Sequence, residues 1–224
     1  MTDEHASAYA RALAQAPRVP ERRARKRLRK HDSDYPASLF LGLLERYEEP
    51  ERRYHTPAHL EHCLSQFDLV RERLEDTDAV ELAIWFHDAI YVAGAKDNEQ
   101  LSADYFERCA RGQMPEWLIQ RVVELILITQ HRAPPVTADQ CYLIDIDLSS
   151  FGLPWKAFLR DSIAVREELV DVPDKEFFPV QRLFLESLLA RDRFCFTEFF
   201  HRRHEKRARD NIRKYLDRFL LPNI

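Results

Sequence analysis

Glycine is scarce in this chain, with only 4 among 224 residues. Folds rich in tight turns draw on glycine because many turns need backbone with positive φ, so this scarcity argues against a β-rich or loop-rich fold. No stretch shows the alternation of apolar and polar residues that is typical of a half-buried strand. Leucine, alanine, arginine and glutamate are abundant instead, and these residues favour helix. The composition therefore predicts an all-α protein.

The chain also lacks paired cysteines and long apolar runs. Its four cysteines stand at positions 63, 109, 141 and 195, with no CxxC pair, which is typical of free thiols in a reducing compartment. No apolar stretch approaches the ~20 residues that a membrane span needs. The opening sequence MTDEHASAYARALAQAP contains no signal-peptide h-region. We therefore expect a cytoplasmic protein that has no membrane partner.

Basic residues are unevenly distributed in a chain whose formal net charge is −4. Seven of the 34 basic residues lie in the segment 22–30 (RRARKRLRK), which leaves 27 basic against 38 acidic residues elsewhere. One short basic run is more typical of a solvated amphipathic helix than of a nucleic-acid contact, and the acidic remainder disfavours a polymeric phosphate partner. We interpret residues 1–33 as a basic helical extension and residues 34–224 as a single domain.

Apolar residues recur at steps of three and four along most of the chain after residue 33. The clearest predicted helix has Thr56 as its N-cap and Pro57 as its first residue. The segment 79–91 (AVELAIWFHDAIY) is apolar nearly all round, which predicts a buried central helix. Further helices are predicted over residues 34–49, 98–111, 115–131, 137–151 and 193–219, and Pro154, Pro173 and Pro179 punctuate two more.

The dipeptide His87-Asp88 lies inside the most apolar of these segments. A buried carboxylate without a partner costs several kcal/mol, so Asp88 needs an ion pair, a hydrogen-bond network or a metal ion. Three histidines, His55, His59 and His62, surround the predicted helix start at Thr56. Neutral imidazole is the commonest metal ligand among side chains, although His62 has the polar neighbours of a surface residue.

Two more acids lie within the apolar run 143–148 (LIDIDL). Asp145 and Asp147 are two residues apart, so on a helix they point in nearly opposite directions. At most one of them can face a given site, and the local pattern leaves open which one does.

Taken in order, these elements resemble the HD superfamily of metal-dependent phosphohydrolases. The likeness extends over about residues 35–217 and is closest to a bacterial subfamily of predicted phosphohydrolases. It is carried by the segments 54–59 (YHTPAH), 82–91 (LAIWFHDAIY), 97–99 (DNE), 129–131 (TQH), 146–152 (IDLSSFG), 172–174 (VPD) and 205–211 (EKRARDN).

The resemblance implies a compact helical bundle of the HD-domain type with the metal ligands His59, His87, Asp88 and Asp147. Asp147 is preferred to Asp145 because it stands five residues before Gly152, as in the family's aspartate-to-glycine stretch. Imidazole and carboxylate ligands suit several divalent ions, so the sequence does not choose among Mn, Mg, Co, Ni, Zn and Fe. One or two ions per chain are expected.

The activity implied by the resemblance is hydrolysis of a phosphate ester, of a nucleotide or another small phosphorylated metabolite, by metal-activated water. His55 is the expected general acid, and Glu99 orients water or acts as general base. Asp88 is also an expected catalytic residue, and either it or Asp147 bridges to a second ion. Substrate-binding roles are expected for His131, Lys96, Arg132 and Arg166. Nucleic acid is not an expected partner, and homo-oligomerisation is left open.

Two other functions stay open at this point. The chain would be a regulatory or interaction module if its metal site were not catalytic. It would be an HD-type di-iron oxygenase if it had two further histidines between Asp88 and Asp147, but only His131 lies there. Alarmone hydrolysis is not expected, because residues 89–93 (AIYVA) lack the Glu-Asp pair that follows the HD motif in such relatives.

Overall fold

A computed structural model describes Phe40 and residues 42–219. These residues form α-helices, short 3-10 helices and a π-helical turn, joined by loops, and no strand occurs among them, which confirms the all-α prediction. The predicted basic extension over residues 1–33 and the first part of the predicted helix 34–49 lie outside the described residues. None of the described helices is both long and apolar enough to cross a membrane.

The described residues fall into two compact units, one ending at Asp147 and the other beginning at Leu148. The single domain predicted over residues 34–224 stays a prediction. The helices of the first unit are α1 (Leu43–Tyr47), α2 (Pro57–Val70), α3 (Thr77–Phe86), α4 (Asn98–Ala110), α5 (Glu116–Ile128) and α6 (Ala138–Asp147). Those of the second are α7 (Trp155–Glu168), α8 (Asp174–Ala190), α9 (Glu198–Phe200) and α10 (Lys206–Phe219).

Helix α2 begins where the sequence predicts. The Thr56 hydroxyl accepts a hydrogen bond from the amide of Ala58 at 3.3 Å, and Pro57 occupies the first helical position. The apolar face of α2 is buried against α3 and α6. Full burial of a Leu or Phe side chain contributes roughly 1.5–3 kcal/mol, so this face anchors α2 firmly in the first unit.

Helix α3 is the centre of the first unit, because every residue from Ala79 to Phe86 is buried. It packs against α2, α5 and α6. Its start is fixed by the buried carboxylate of Asp139, which accepts hydrogen bonds from the amides of Glu75 at 2.9 Å and Asp76 at 3.0 Å. The Asp76 side chain in turn accepts from the amide of Ala79 at 3.0 Å.

The predicted helix 79–91 is wrong at its C-terminal end, because α3 stops at Phe86 and His87-Asp88 lies in the turn that follows. The last carbonyls of a helix have no intrahelical partner and must find another donor when they are buried. Here His87 Nδ1 lies 2.9 Å from the carbonyl of Ile84, and the Tyr47 hydroxyl donates to that of Trp85 at 3.1 Å. These side chains replace the helical hydrogen bonds and let the chain turn.

Other predicted helices are shorter than expected. The predicted helix 137–151 changes to a 3-10 helix, Leu148–Gly152, after Asp147, and Pro179 lies inside α8 rather than at its end. The long helix predicted over residues 193–219 begins only at Glu198 and contains a π-helical turn, His201–Glu205.

The second unit is built around Gly152 and an aromatic core. The Asn211 side chain donates to the carbonyls of Phe151 and Leu153, each at 2.8 Å. The His204 ring packs directly on Gly152, where an added Cβ would lie 2.5 Å from Nδ1 and 2.6 Å from the histidine Cβ. A residue without a side chain is therefore required where the π-helical turn His201–Glu205 approaches the 3-10 helix.

Candidate metal centre

Four predicted ligands meet in the first unit. His59 lies in the first turn of α2, on its buried face, and His87 and Asp88 follow the end of α3. Asp147 is the last residue of α6. Because α2 packs against both α3 and α6, the folding of the apolar core brings these polar side chains together.

Each histidine of the cluster faces both carboxylates. The Nε2 atom of His59 lies 3.5 Å from Asp88 Oδ2 and 3.4 Å from Asp147 Oδ1. The Nε2 atom of His87 lies 3.0 Å from Asp88 Oδ2 and 3.7 Å from Asp147 Oδ1. Atoms bound to one divalent ion at ~2.1 Å, with angles of roughly 90–125° between them, are about 3.0–3.7 Å apart. The four distances between these histidines and carboxylates fall within this range.

The orientation of His87 supports the same interpretation. Its Nδ1 atom lies 2.9 Å from the carbonyl oxygen of Ile84, which can only accept, so Nδ1 carries a proton. This contact leaves Nε2 as the nitrogen that faces the carboxylates and could bind a metal ion, and Nε2 is buried without a well-aligned hydrogen-bond partner. A ligating histidine usually donates its other ring N–H to such a carbonyl, which fixes the tautomer.

Charge in the cluster is balanced between acids and imidazoles. Burial by itself would raise the pKa of Asp88, but His87, His55 and His59 hold it well below its usual value. For Asp147 burial again opposes ionisation, and hydrogen bonding to the histidines around it, first His131, lowers its pKa. The pKa of His87 is well above the usual value, because the two carboxylates outweigh the effect of its burial. Protons on the imidazoles thus supply part of the positive charge that a bound cation would supply.

Cys63 is a member of this cluster that the sequence analysis missed. The ligand atoms of His59, Cys63, His87 and Asp147 all lie within 4.8 Å of one another, and such a group could hold a metal ion. The sulfur lies 3.6 Å from Nε2 and 3.9 Å from Nδ1 of His59, so it flanks the ring instead of facing one nitrogen. Burial, with Asp147 and Asp88 next in effect, raises the pKa of the thiol. The spacing of four residues from His59 on one helix face was the available signal.

His131 was expected to bind substrate. In the structure its side chain contacts Asp147, one of the predicted metal ligands. Its Nε2 lies 3.0 Å from Asp147 Oδ2, the carboxylate oxygen that does not face His59 and His87. The residue follows α5 with a φ of 55°, a left-handed conformation that is uncommon for a side chain other than glycine. This conformation aims the imidazole at Asp147 and thereby orients the carboxylate.

His55, the expected general acid, lies beside the cluster. Its ring stacks on Tyr91 with centroids 4.1 Å apart and contacts Tyr54 edge-on at 4.9 Å. The centroid of the His59 ring is 6.0 Å away. The two tyrosines hold His55 close enough for its charge to lower the pKa of Asp88.

The remaining predicted residues lie in three places. Glu99 is half-buried in the first turn of α4. Lys96 and Arg132 are exposed, and Arg132 Nη2 donates to the carbonyl of Lys96 at 2.6 Å, so two loops of the first unit meet there. Arg166 belongs to the second unit, where it pairs with Asp174 at 2.7 Å. Asp145 is buried, and it is Asp147 that faces the histidines.

Comparison with known proteins gives no match to this chain among protein-family models, curated proteins or solved structures. The resemblance to the HD superfamily therefore stays a prediction that rests on the residues named above.

Proposed function

We propose that the chain is an HD-type metal-dependent phosphohydrolase that cleaves a phosphate ester of a nucleotide or another small phosphorylated metabolite. The observation that carries the proposal is the uneven burial of the cluster. The side chains of His59 and His87 are 2–3% exposed, whereas those of Asp88 and Asp147 are 15–17% exposed. Catalytic metal sites keep a position open to water or substrate, and here the carboxylate side of the cluster is open.

A bound divalent ion would polarise a phosphoryl oxygen and lower the pKa of water at this site. The chain's own residues would hold the ion and orient its ligands. His59 and His87 form the buried floor of the cluster, and the Ile84 carbonyl holds His87 in the tautomer that presents Nε2. Asp88 and Asp147 supply negative charge, and His131 fixes the second oxygen of Asp147.

Proton transfer to the leaving oxygen is assigned to His55. Its stacking on Tyr91 places an imidazole at the edge of the cluster, and Tyr54 limits the rotation of its ring. Imidazole titrates near neutral pH, which suits a general acid. The exposed cations Lys96 and Arg132 lie on adjoining loops of the same unit and are the proposed contacts for substrate phosphate.

Cys63 favours a second candidate function, that of a non-catalytic metal-binding module. Two histidines, a cysteine and an aspartate form the kind of four-ligand set that closes a structural zinc site. In that case the ion would have no open position, and the chain would act through binding rather than through hydrolysis. The position of the sulfur beside the His59 ring, off the axis of Nε2, weighs against this candidate.

The test is phosphate release from a panel of nucleotides and small phosphate esters, with Mn²⁺, Mg²⁺, Co²⁺ or Ni²⁺ added. We expect metal-dependent release by the wild type and a loss of more than ~100-fold in Asp147→Asn, because changes to residues that only orient the ligands already cost about 10- to 100-fold. Asp145→Asn is the matched control, since it alters a buried aspartate of the same helix. Metal binding without hydrolysis of any ester would favour the non-catalytic module.

A further inference from the structure

Arg52 is a buried arginine in the loop between α1 and α2, with 4% of its surface exposed. Its Nη1 donates to the carbonyl of Asp88 at 2.7 Å and to that of His55 at 3.2 Å, and its Nη2 donates to that of Ala89 at 3.1 Å. The third nitrogen, Nε, pairs with Glu49 Oε2 at 3.1 Å. One guanidinium thus joins the two segments that carry His55 and Asp88.

These hydrogen bonds satisfy main-chain groups that the fold leaves without partners. Because α3 ends at Phe86, the carbonyls of Asp88 and Ala89 belong to a turn that has no ladder of its own. A buried carbonyl without a donor costs free energy comparable to a lost hydrogen bond. The planar fork of an arginine can reach two neighbouring carbonyls at fixed geometry, which the single ammonium of a lysine cannot reproduce.

Two aromatic rings hold the guanidinium in this position. Its Cζ atom lies 5.2 Å from the centroid of the Tyr47 ring and 5.6 Å from that of Tyr91. Tyr91 also stacks on His55, and the Tyr47 hydroxyl binds the carbonyl of Trp85 in α3. The arginine is therefore packed between the last turn of α3 and the residues that precede α2, and it has little freedom to move.

We infer that Arg52 is a positioning residue of the metal centre. By tying the carbonyl of Asp88 to that of His55, it fixes the turn that carries His87 and Asp88 against the start of α2, where His59 lies. The short distances from Asp88 Oδ2 to both histidines depend on this register. The inference rests on the metal centre of the proposed function, and it does not depend on which ester is hydrolysed.

The second unit supplies a matched control for this role. Arg209 also forms an ion pair with a glutamate, Glu205, and donates to three carbonyls, those of Leu189, Arg191 and Asp192. Its side chain is 15% exposed, and the carbonyls that it binds belong to the end of α8 and the residues after it. Loss of either fork removes the same kinds of hydrogen bond, but only Arg52 adjoins the candidate ligands.

The test compares Arg52→Lys and Arg209→Lys in the full chain, by calorimetric titration of the metal-free protein with Co²⁺ and by the visible absorption of the Co²⁺ complex. Removing a residue that orients ligands typically weakens metal binding by about 10- to 100-fold. We expect a loss of that size, with an altered Co²⁺ spectrum, in Arg52→Lys. Arg209→Lys should lower the melting temperature but leave the affinity within about twofold and the spectrum unchanged.

A milder variant covers the case in which Arg52→Lys does not fold. Glu49→Gln removes the charge that orients Nε, and we expect it to weaken Co²⁺ binding by about two- to fivefold. Equal affinities and spectra in the wild type and in the folded Arg52 variant, or in Glu49→Gln if the first does not fold, would overturn the inference and leave the proposed function standing. A wild type that binds no Co²⁺ would overturn both.

Discussion

The acidic side chains of the candidate metal centre are neutralised differently from those of three ion pairs in the second unit. In the second unit arginine pairs with acid: Arg209 with Glu205, Arg166 with Asp174, and Arg160 with Asp161. In the first unit, Asp88 and Asp147 face the imidazoles of His59 and His87 instead. A guanidinium stays protonated at any ordinary pH, whereas an imidazolium gives up its proton near neutrality. Of these two arrangements, only the pairing of acids with imidazoles can exchange its protons for a metal ion near neutral pH.

The largest difference is expected when one acidic side chain is removed from each unit. Asp147→Asn should weaken binding of Co²⁺ or Mn²⁺ by more than ~100-fold, because it removes a ligand charge. Asp174→Asn removes an acid whose partner is Arg166, and its metal affinity should equal that of the wild type. Calorimetric titration measures both, and equal losses in the two variants would contradict the distinction between the units.

A substitution that destabilises the second unit should leave metal binding in the first unit unchanged. In Gly152→Ala the new methyl group meets the His204 side chain at 2.5–2.6 Å, including its Cβ, which cannot rotate away. Overpacking of this kind costs about 1–3 kcal/mol. We expect a lower midpoint in urea denaturation and an unchanged affinity for Co²⁺. A Gly152→Ala variant as stable as the wild type would contradict the close contact between His204 and Gly152.

The pH dependence of stability should differ with and without metal. In the metal-free protein the raised pKa of His87 stabilises the fold below about pH 6.5, and this stabilisation is lost as the pH rises through that pKa. The lowered pKa values of Asp88 and Asp147 stabilise it above about pH 4, and this is lost as the pH falls.

Added Co²⁺ competes with these protons, so the increase in melting temperature that it produces should grow from pH 5 to pH 8. Thermal denaturation at several pH values, with and without the ion, measures it. Asp147→Asn is the control, because its melting temperature should respond little to Co²⁺ at any pH. An increase that is the same at all pH values would mean that His87 does not exchange its proton for the metal.

The smallest effect is expected at Cys63. If the sulfur only flanks the His59 ring, Cys63→Ala should change the affinity for Zn²⁺ by less than about threefold, at a cost in stability typical of a small core cavity. Cys195→Ala is the matched control, since Cys195 is a buried thiol of the second unit. A loss of Zn²⁺ affinity above ~100-fold in Cys63→Ala alone would make the sulfur a ligand and favour the non-catalytic module.

The sequence predicts best those features that neighbouring residues determine. The start of α2 follows from Thr56 and Pro57, and the burial of α3 follows from its continuous apolar composition. The end of α3 is different, because Tyr47 and Arg52 bind carbonyls there that lie 36 to 38 residues away in the chain. No local sequence pattern predicts a helix end that depends on donors so distant in the chain.

The same distinction holds for the metal centre. His87 and Asp88 stand out in the sequence because polar residues within an apolar run need a partner, whereas His59 is chosen among three nearby histidines only by the resemblance to the HD superfamily. The places of Cys63 and Arg52 are harder to predict. Cys63 looks like an ordinary core residue apart from its spacing of four from His59, and Arg52 looks like an ordinary surface residue. Only the packing of α2 against α3 brings the sulfur to the cluster, and only the folded loop before α2 buries the guanidinium.

We propose that the histidine and aspartate cluster of the first unit binds a divalent ion in exchange for protons. Calorimetric titration of the metal-free wild type with Co²⁺, in two buffers of different ionisation enthalpy near pH 6, tests it most directly. We expect saturable binding with net release of protons, because the metal would displace the proton of His87. Absence of saturable binding, or binding with no release of protons, would contradict it.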